Sequence, residues 1–171
     1  MSQLRMKELD GKTFYKISKS TPEIKNFCVE SHYLEYPTNS LIVDEGKHRI
    51  CYVPATKVIS CIPYGDQLTE IIFDCNNPLF KKIENESVYY IGGSLEEYNS
   101  RSVVTGKNYS LSDPSTIQRI IDMTPTDNLH LLAALVDCEY AHPRITGHLK
   151  KLGFEESLKY WLSEMKKYKI Y

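Results

Sequence analysis

The chain has 171 residues, of which 42% are hydrophobic and 25% are charged, values typical of a folded globular protein and not of a disordered one. Lysine and arginine number 21 against 22 aspartates and glutamates, so the formal net charge is −1. This balance lacks the overall positive field typical of a nucleic-acid binder. A chain of this length buries a sizeable core as one unit, and we predict a single domain over residues 1–171.

The cysteines favour a reducing compartment. Their number is odd and no pair has CxxC spacing, which indicates free thiols. The first residues lack the apolar segment of a secretory signal, and no apolar stretch is long enough to span a membrane. We therefore expect a cytoplasmic protein, or one delivered into a reducing host compartment. The five cysteines of the chain are Cys28, Cys51, Cys61, Cys75 and Cys138.

The N-terminal third mixes a strand, a helix and a turn. Residues 1–10 are predicted as a polar arm or short helix, and Lys12–Ser18 as a strand. The order Thr-Pro-Glu is typical of a helix N-terminus and predicts a helix over Pro22–His32. Ser40–Val43 is predicted as a strand that leads into a hairpin turn at Asp44–Lys47.

The central part holds the densest run of β-branched and aromatic residues, over residues 49–75. Proline and glycine clusters divide it into short apolar runs, which is typical of successive strands in an antiparallel meander. The predicted strands are residues 49–53, 58–62 and 68–75.

A glycine pair, Gly92-Gly93, follows a further predicted strand at Ser87–Ile91. Ser94 and Glu97 have the spacing of a capping box, which predicts that a short helix begins there.

The C-terminal third has helical periodicity. Asp113 and Pro114 are typical of an N-cap and first helical residue, and they predict a helix. Asp127–Tyr140 is apolar on nearly all sides, so we expect a largely buried helix. Phe154–Lys167 is amphipathic, and Trp161 on its apolar stripe is expected to be buried.

Residues Asp127–Phe154 resemble part of one ankyrin repeat. LHLLAA is similar to the PLHxAA pattern of that family, and HPRITGHLKKLGF is similar to its second helix and terminal glycine. The segment Leu135–Ala141 is longer than the family's inter-helix turn, and the chain contains no second copy. Because one repeat does not bury its own apolar face, we interpret the stretch as a helical hairpin and assign no family.

Strands dominate residues 12–92 and helices dominate residues 113–168, a segregation typical of the α+β class. We predict a mostly antiparallel sheet of five or six strands, arranged as a meander and covered by a C-terminal group of helices.

The first candidate site is the turn Gly92-Gly93-Ser94. A glycine pair before a helix N-terminus exposes backbone N–H groups to a phosphate, and Arg101 and Lys107 are close enough in sequence to assist. Two glutamates in the first helical turn would repel an anion. An ordinary strand-to-helix turn is the favoured interpretation, with a phosphate- or nucleotide-ligand binder as an alternative.

The second candidate site is Cys138 with His142. Their i,i+4 spacing suits a nucleophile–base pair or two metal ligands. Pro143 takes His142 out of helical geometry, and a zinc site needs two more ligands. We expect a buried structural cysteine, a helix-capping histidine, no metal and no cofactor.

Thirteen tyrosines and the lack of a catalytic motif favour a non-enzymatic protein-interaction module. An adaptor, an inhibitor, an immunity-type protein or a delivered accessory or effector protein fits this description. Its partner would be another protein and not a nucleic acid. The alternative is an enzyme with an unrecognised site, a thiol-dependent hydrolase or transferase that uses Cys138 and His142. A flat tyrosine-rich surface would favour the first class, and a deep polar cleft the second.

Overall fold

The computed structural model describes residues 2–20, 34–45, 49–136 and 144–170. The predicted helix over Pro22–His32 and half of the predicted turn at Asp44–Lys47 lie outside these ranges. The described part contains eight strands in one sheet. They are β1 (Ser2–Arg5), β2 (Thr13–Ser18), β3 (Leu41–Val43), β4 (Ile50–Pro54), β5 (Gln67–Ile72), β6 (Ser87–Gly92), β7 (Glu97–Ser100) and β8 (Ser102–Ser110).

Every pair of neighbouring strands is antiparallel, and the order across the sheet is β1-β6-β7-β4-β2-β5-β8-β3. Arg101 alone connects β7 to β8, although three strands lie between them in the sheet. One residue bridges such a gap only if the sheet bends sharply, so β7 and β8 form a corner. The side chain of Ser100 closes this corner by donating a hydrogen bond to the Ser102 carbonyl at 2.7 Å.

The prediction of an antiparallel sheet in an α+β fold is confirmed, but two details of it are wrong. The sheet has eight strands instead of five or six, and it is not a meander, because only β6 and β7 are neighbours both in sequence and in the sheet. The added strand β1, predicted as an arm or helix, pairs with β6 over its whole length. The alternation of polar and apolar residues in β1 is too short to identify a strand from the sequence alone.

Residues 58–62, predicted as a strand, lie instead in a 3-10 helix over Ala55–Tyr64. Val58, Ile59 and Ile62 are buried on one side of this helix, while Ser60 is exposed. A run of β-branched residues favours a strand only where it has a strand neighbour, and here helical packing outweighs that preference.

The helices of the C-terminal third cover part of one face of the sheet, so the covering that the sequence predicts is partial. They pack with the long 3-10 helix on a core that includes Ile17, Leu68 and Trp161. Asp113 caps the first of them by accepting a hydrogen bond from the Ser115 amide at 2.9 Å. These helices are α2 (Pro114–Asp122), α3 (Thr126–Leu135), α4 (Ile145–Lys151) and α5 (Glu155–Tyr168).

A second apolar cluster fills the concave side of the corner. Phe14, Tyr52 and Phe73 pack there with ring centroids 5.2 to 5.8 Å apart. A short 3-10 helix over Met6–Leu9 and the helix α1 (Pro78–Lys81) complete this cluster with buried apolar side chains. The sheet therefore has a separate core on each side.

Two predictions about the helices have different outcomes. Trp161 is buried, at 2% exposure, as predicted. The helix predicted at Asp127–Tyr140 corresponds to α3, and the prediction that it is largely buried is wrong. Leu129 and Ala133 face the core, while Leu131 and Leu135 are 67% and 53% exposed. The helix lies on the outside of the helical layer, so only one of its sides has a packing partner.

Candidate functional site

The glycine pair lies in a β-hairpin and not at a helix N-terminus. Gly92 and Gly93 have φ values of 78° and 74°, which let the chain reverse between β6 and β7. Glu97 begins β7 instead of completing a capping box, so the predicted helix at Ser94 does not form. As a strand, β7 pairs with β4 on one side and β6 on the other, and its Tyr98 packs against Phe14. These interactions stabilise the strand more than capping would stabilise a short exposed helix.

The other residues of the first candidate site lie elsewhere. Arg101 follows the far end of β7, and Lys107 belongs to β8 across three intervening strands. The Lys107 amide donates a hydrogen bond to Glu70 Oε1 at 2.8 Å, at a bulge where β8 carries an extra residue against β5. The structure does not bring Arg101 and Lys107 to the glycine turn.

Cys138 and His142 lie outside the described residues, and their predicted roles stay predictions. Cys51, Cys61 and Cys75 are free thiols. Burial, followed by the nearby charge of Glu97, raises the pKa of the Cys61 thiol to about 12, although the charge of Lys16 opposes this. Cys61 is therefore a neutral thiol near pH 7, without nucleophilic character.

One part of the sheet presents a polar and aromatic surface. On β1, β6, β7 and β4 the alternate residues Leu4, Val88, Ser100 and Ile50 face the concave core. Their neighbours on each strand point the other way, and all of those neighbours are exposed or half-buried. We call this surface the open face, and it consists of Gln3, Arg5, Arg49, Cys51, Ser87, Tyr89, Ile91 and Asn99.

Arg49 is the most constrained side chain of the open face. Its Nε donates to Asn99 Oδ1 at 2.7 Å, and its Nη2 donates to the Ser87 carbonyl at 3.1 Å. The guanidinium lies over the ring of Tyr89, 4.5 Å from the centroid. Gln3 extends the network, since its Nε2 donates to the Ser87 hydroxyl at 2.7 Å. These neutral contacts hold the arginine in one orientation and leave its charge in place.

A small pocket adjoins the open face where the sheet divides. Strands β2 and β4 pair at only two positions and then separate, and Lys16 Nζ donates to the Cys51 carbonyl at 3.1 Å across the gap. Lys16 is only 7% exposed. The resulting cavity has a volume of about 180 Å³ and a mostly apolar lining. The lining residues are Tyr15, Lys16, Ile17, Cys51, Tyr52, Val53, Cys61, Tyr64, Leu95 and Glu97.

Metal ligands are not assembled in the part of the chain that the structure describes, where no group of three His, Cys, Asp or Glu side chains is placed to hold an ion. Over the same ranges, no helix has both the length and the apolar character to cross a membrane. Comparison with protein-family models, curated proteins and solved structures finds no match to this chain.

Neither the open face nor the pocket was predicted from the sequence. The alternation of Arg49 with Ile50, and of Tyr89 with Val88, was visible as a half-buried strand pattern. It did not show that these two strands lie with only β7 between them, because pairing between distant segments leaves no local trace.

Proposed function

We propose that this protein is a non-enzymatic protein-interaction module that binds its partner through the open face. The observation that supports this most is a partly exposed sheet surface in which Arg49 contacts both Tyr89 and Asn99 and Ile91 is 46% exposed. Tyrosine and arginine are enriched at protein interfaces, because they supply large contact areas with few rotatable bonds or with several donors.

The experiment combines affinity capture from native host extract with hydrogen exchange of the purified complex. The test variant is Tyr89→Ala combined with Ile91→Asp. The control is Ile170→Asp, at a residue that is 76% exposed near the C-terminus. We expect the test variant to lose the partner, the control to keep it, and β6 and β7 to gain protection in the complex. Equal capture of the partner by the wild type, the test variant and the control, or protection only outside β6 and β7, would show that the open face is not the binding surface.

A small-molecule binder is the second candidate, because the pocket combines an apolar lining with the buried cation of Lys16. A dry cavity of about 150 Å³ holds benzene in another protein, so benzoate is a suitable probe. We expect saturable chemical-shift changes at pocket residues and their loss in Leu95→Trp, which fills the space. Absence of such changes would remove this candidate.

The thiol-dependent enzyme has a direct chemical test. Cys138 has no cationic neighbour within the adjacent sequence Val136–Glu139, so we expect its thiol to react slowly with iodoacetamide at neutral pH. Mass-spectrometric mapping of the native protein measures this rate for every cysteine. If Cys138 is labelled first and fastest, a Cys–His hydrolase or transferase becomes the leading function.

A further inference from the structure

Arg5 and Arg49 belong to the open face, and Arg101 adjoins it at the corner of the sheet; we call these three residues the arginine row. Arg5 on β1 pairs with Ser87 on β6. Val88 and Ile50 both pair with Ser100, and Arg101 is the next residue after Ser100, at the corner between β7 and β8. Neighbouring strands lie about 4.8 Å apart, so the row from Arg5 to Arg49 spans about 14 Å.

The arginines of this row form no ion pair with another described residue. No carboxylate oxygen of a described residue lies within 4.0 Å of the guanidinium groups of Arg5, Arg49 or Arg101. Two nearby acids form hydrogen bonds with neutral donors instead of ion pairs with these arginines: Glu8 accepts from the backbone amide of Arg5 at 2.6 Å, and Glu86 accepts from the Ser102 hydroxyl at 3.0 Å.

The row combines one fixed cation with two exposed ones. Arg49 is half-buried and held by two hydrogen bonds and the Tyr89 ring, whereas Arg5 and Arg101 are exposed. A preoriented guanidinium meets an oxyanion with little loss of side-chain entropy, and the flanking arginines extend the positive field along one line. This arrangement suits a linear series of anionic groups.

We infer that the arginine row Arg5–Arg101–Arg49 binds an acidic segment of a protein partner, with its carboxylate or phosphoryl groups along the row. The inference rests on the proposed function and adds the chemistry of the partner. An extended segment fits because its alternate side chains point to one side, so acids at every second residue turn toward the open face together. Glu and phosphoserine share the oxyanion chemistry that Arg49 recognises.

Fluorescence anisotropy measures the binding of labelled peptides to the full chain. One peptide alternates Glu and Ser, a second carries phosphoserine in place of Glu, and a third carries Gln. We expect one or both acidic peptides to bind, with affinity falling as salt rises, and the Gln peptide to show no binding. The ratio of the two acidic affinities identifies the preferred anion.

Arginine variants locate the contact. Arg49→Gln is expected to lower the affinity about tenfold or more, because it removes the oriented cation. Arg119→Gln is the matched control. Arg119 lies on α2, and its guanidinium is likewise over a tyrosine ring, 4.2 Å from the Tyr109 centroid, so the substitution removes the same charge from a similar environment. It should leave the affinity unchanged. If Arg49→Gln does not fold, the double variant of the exposed Arg5 and Arg101 to Gln, with an expected loss of about fivefold, serves instead.

Three outcomes would overturn the inference. They are equal binding of the Gln peptide, equal losses in the Arg49 and Arg119 variants, and tighter binding of labelled oligouridylate than of either acidic peptide. The proposed function is judged separately by capture of the natural partner. If Tyr89→Ala with Ile91→Asp loses that partner while Arg49→Gln keeps it, the interaction surface stands and acidic recognition fails. If both keep it, the proposed function itself fails.

Discussion

His148 connects the helical layer to the end of the long 3-10 helix. The imidazole is buried, and its Nε2 donates a hydrogen bond to the Gly65 carbonyl at 2.6 Å. Burial lowers the pKa of His148 below its ordinary value. The Gly65 hydrogen bond and the charge of Asp66 act in the opposite direction, and the charge of Lys151 adds to the lowering. The folded state therefore favours a neutral imidazole at this position.

This lowered pKa predicts a pH-dependent stability. As the pH falls below the ordinary histidine pKa of about 6.5, His148 is protonated in the unfolded chain at a higher pH than in the folded chain. The contribution to the free energy of unfolding is therefore complete above that pH and is lost progressively as the pH falls toward the folded pKa. Urea unfolding at several pH values should show a shallower decline for His148→Gln than for the wild type. Identical declines would contradict the prediction.

Trp161 is the largest fully buried side chain of the helical core. Its Nε1 donates to Thr146 Oγ1 at 3.0 Å, so truncation leaves both a cavity and an unpaired hydroxyl. We expect Trp161→Ala to lower the free energy of unfolding by about 3–5 kcal/mol, measured by chemical denaturation followed by circular dichroism. The control Leu162→Ala, at a neighbour that is 38% exposed, should cost much less. Equal costs would show that the tryptophan packs loosely.

At the scale of elements, the junction at Gly65 holds the long 3-10 helix against the end of β2. The backbone there is extended, with φ of −179°, so any residue could adopt it. Space is the constraint, because a Cβ at this position would overlap the Ser18 carbonyl. Backbone cannot move aside as a side chain does, and three elements meet here through Gly65, Ser18 and His148.

Alanine substitutions at two glycines measure this constraint. Gly65→Ala should lower the free energy of unfolding by about 3 kcal/mol or more. Gly106→Ala should cost less, about 1–2 kcal/mol, because its Cβ would meet the side chains of Ile72 and Glu70, which can shift, instead of backbone. Thermal and urea unfolding of both variants provide the comparison. A tolerated Gly65→Ala would mean that the helix end and β2 separate easily.

At the scale of the whole molecule, the two cores share the strands between them. On β2, Phe14 belongs to the concave core while Ile17 belongs to the helical core. Disruption of one core therefore exposes strands that the other requires, and the single-domain prediction implies one cooperative transition.

We expect far-UV circular dichroism and Trp161 fluorescence to report the same midpoint in urea. Thiol titration of the denatured protein without reductant should count all five cysteines. Two separated transitions would indicate independent units, and fewer than five thiols would indicate a disulfide.

Much of the secondary structure follows from local pattern. The capping residues Asp113 and Pro114 and the apolar stripe that contains Trp161 identify helices, because capping and the 3.6-residue period involve only near neighbours. The succession of strands before helices likewise indicates the α+β class. The strand predicted at residues 58–62 is wrong, because β-branched residues suit a strand or a packed helix according to what lies beside them.

The open face has a different origin. Arg49 and Tyr89 come from separate segments, and only the strand order β1-β6-β7-β4 brings them together. The corner at Arg101 likewise depends on how the whole sheet bends. Hydrogen bonding between strands is almost independent of side-chain identity, so the order of strands is decided by burial on the two faces. That burial is a property of the assembled chain and not of any segment of it.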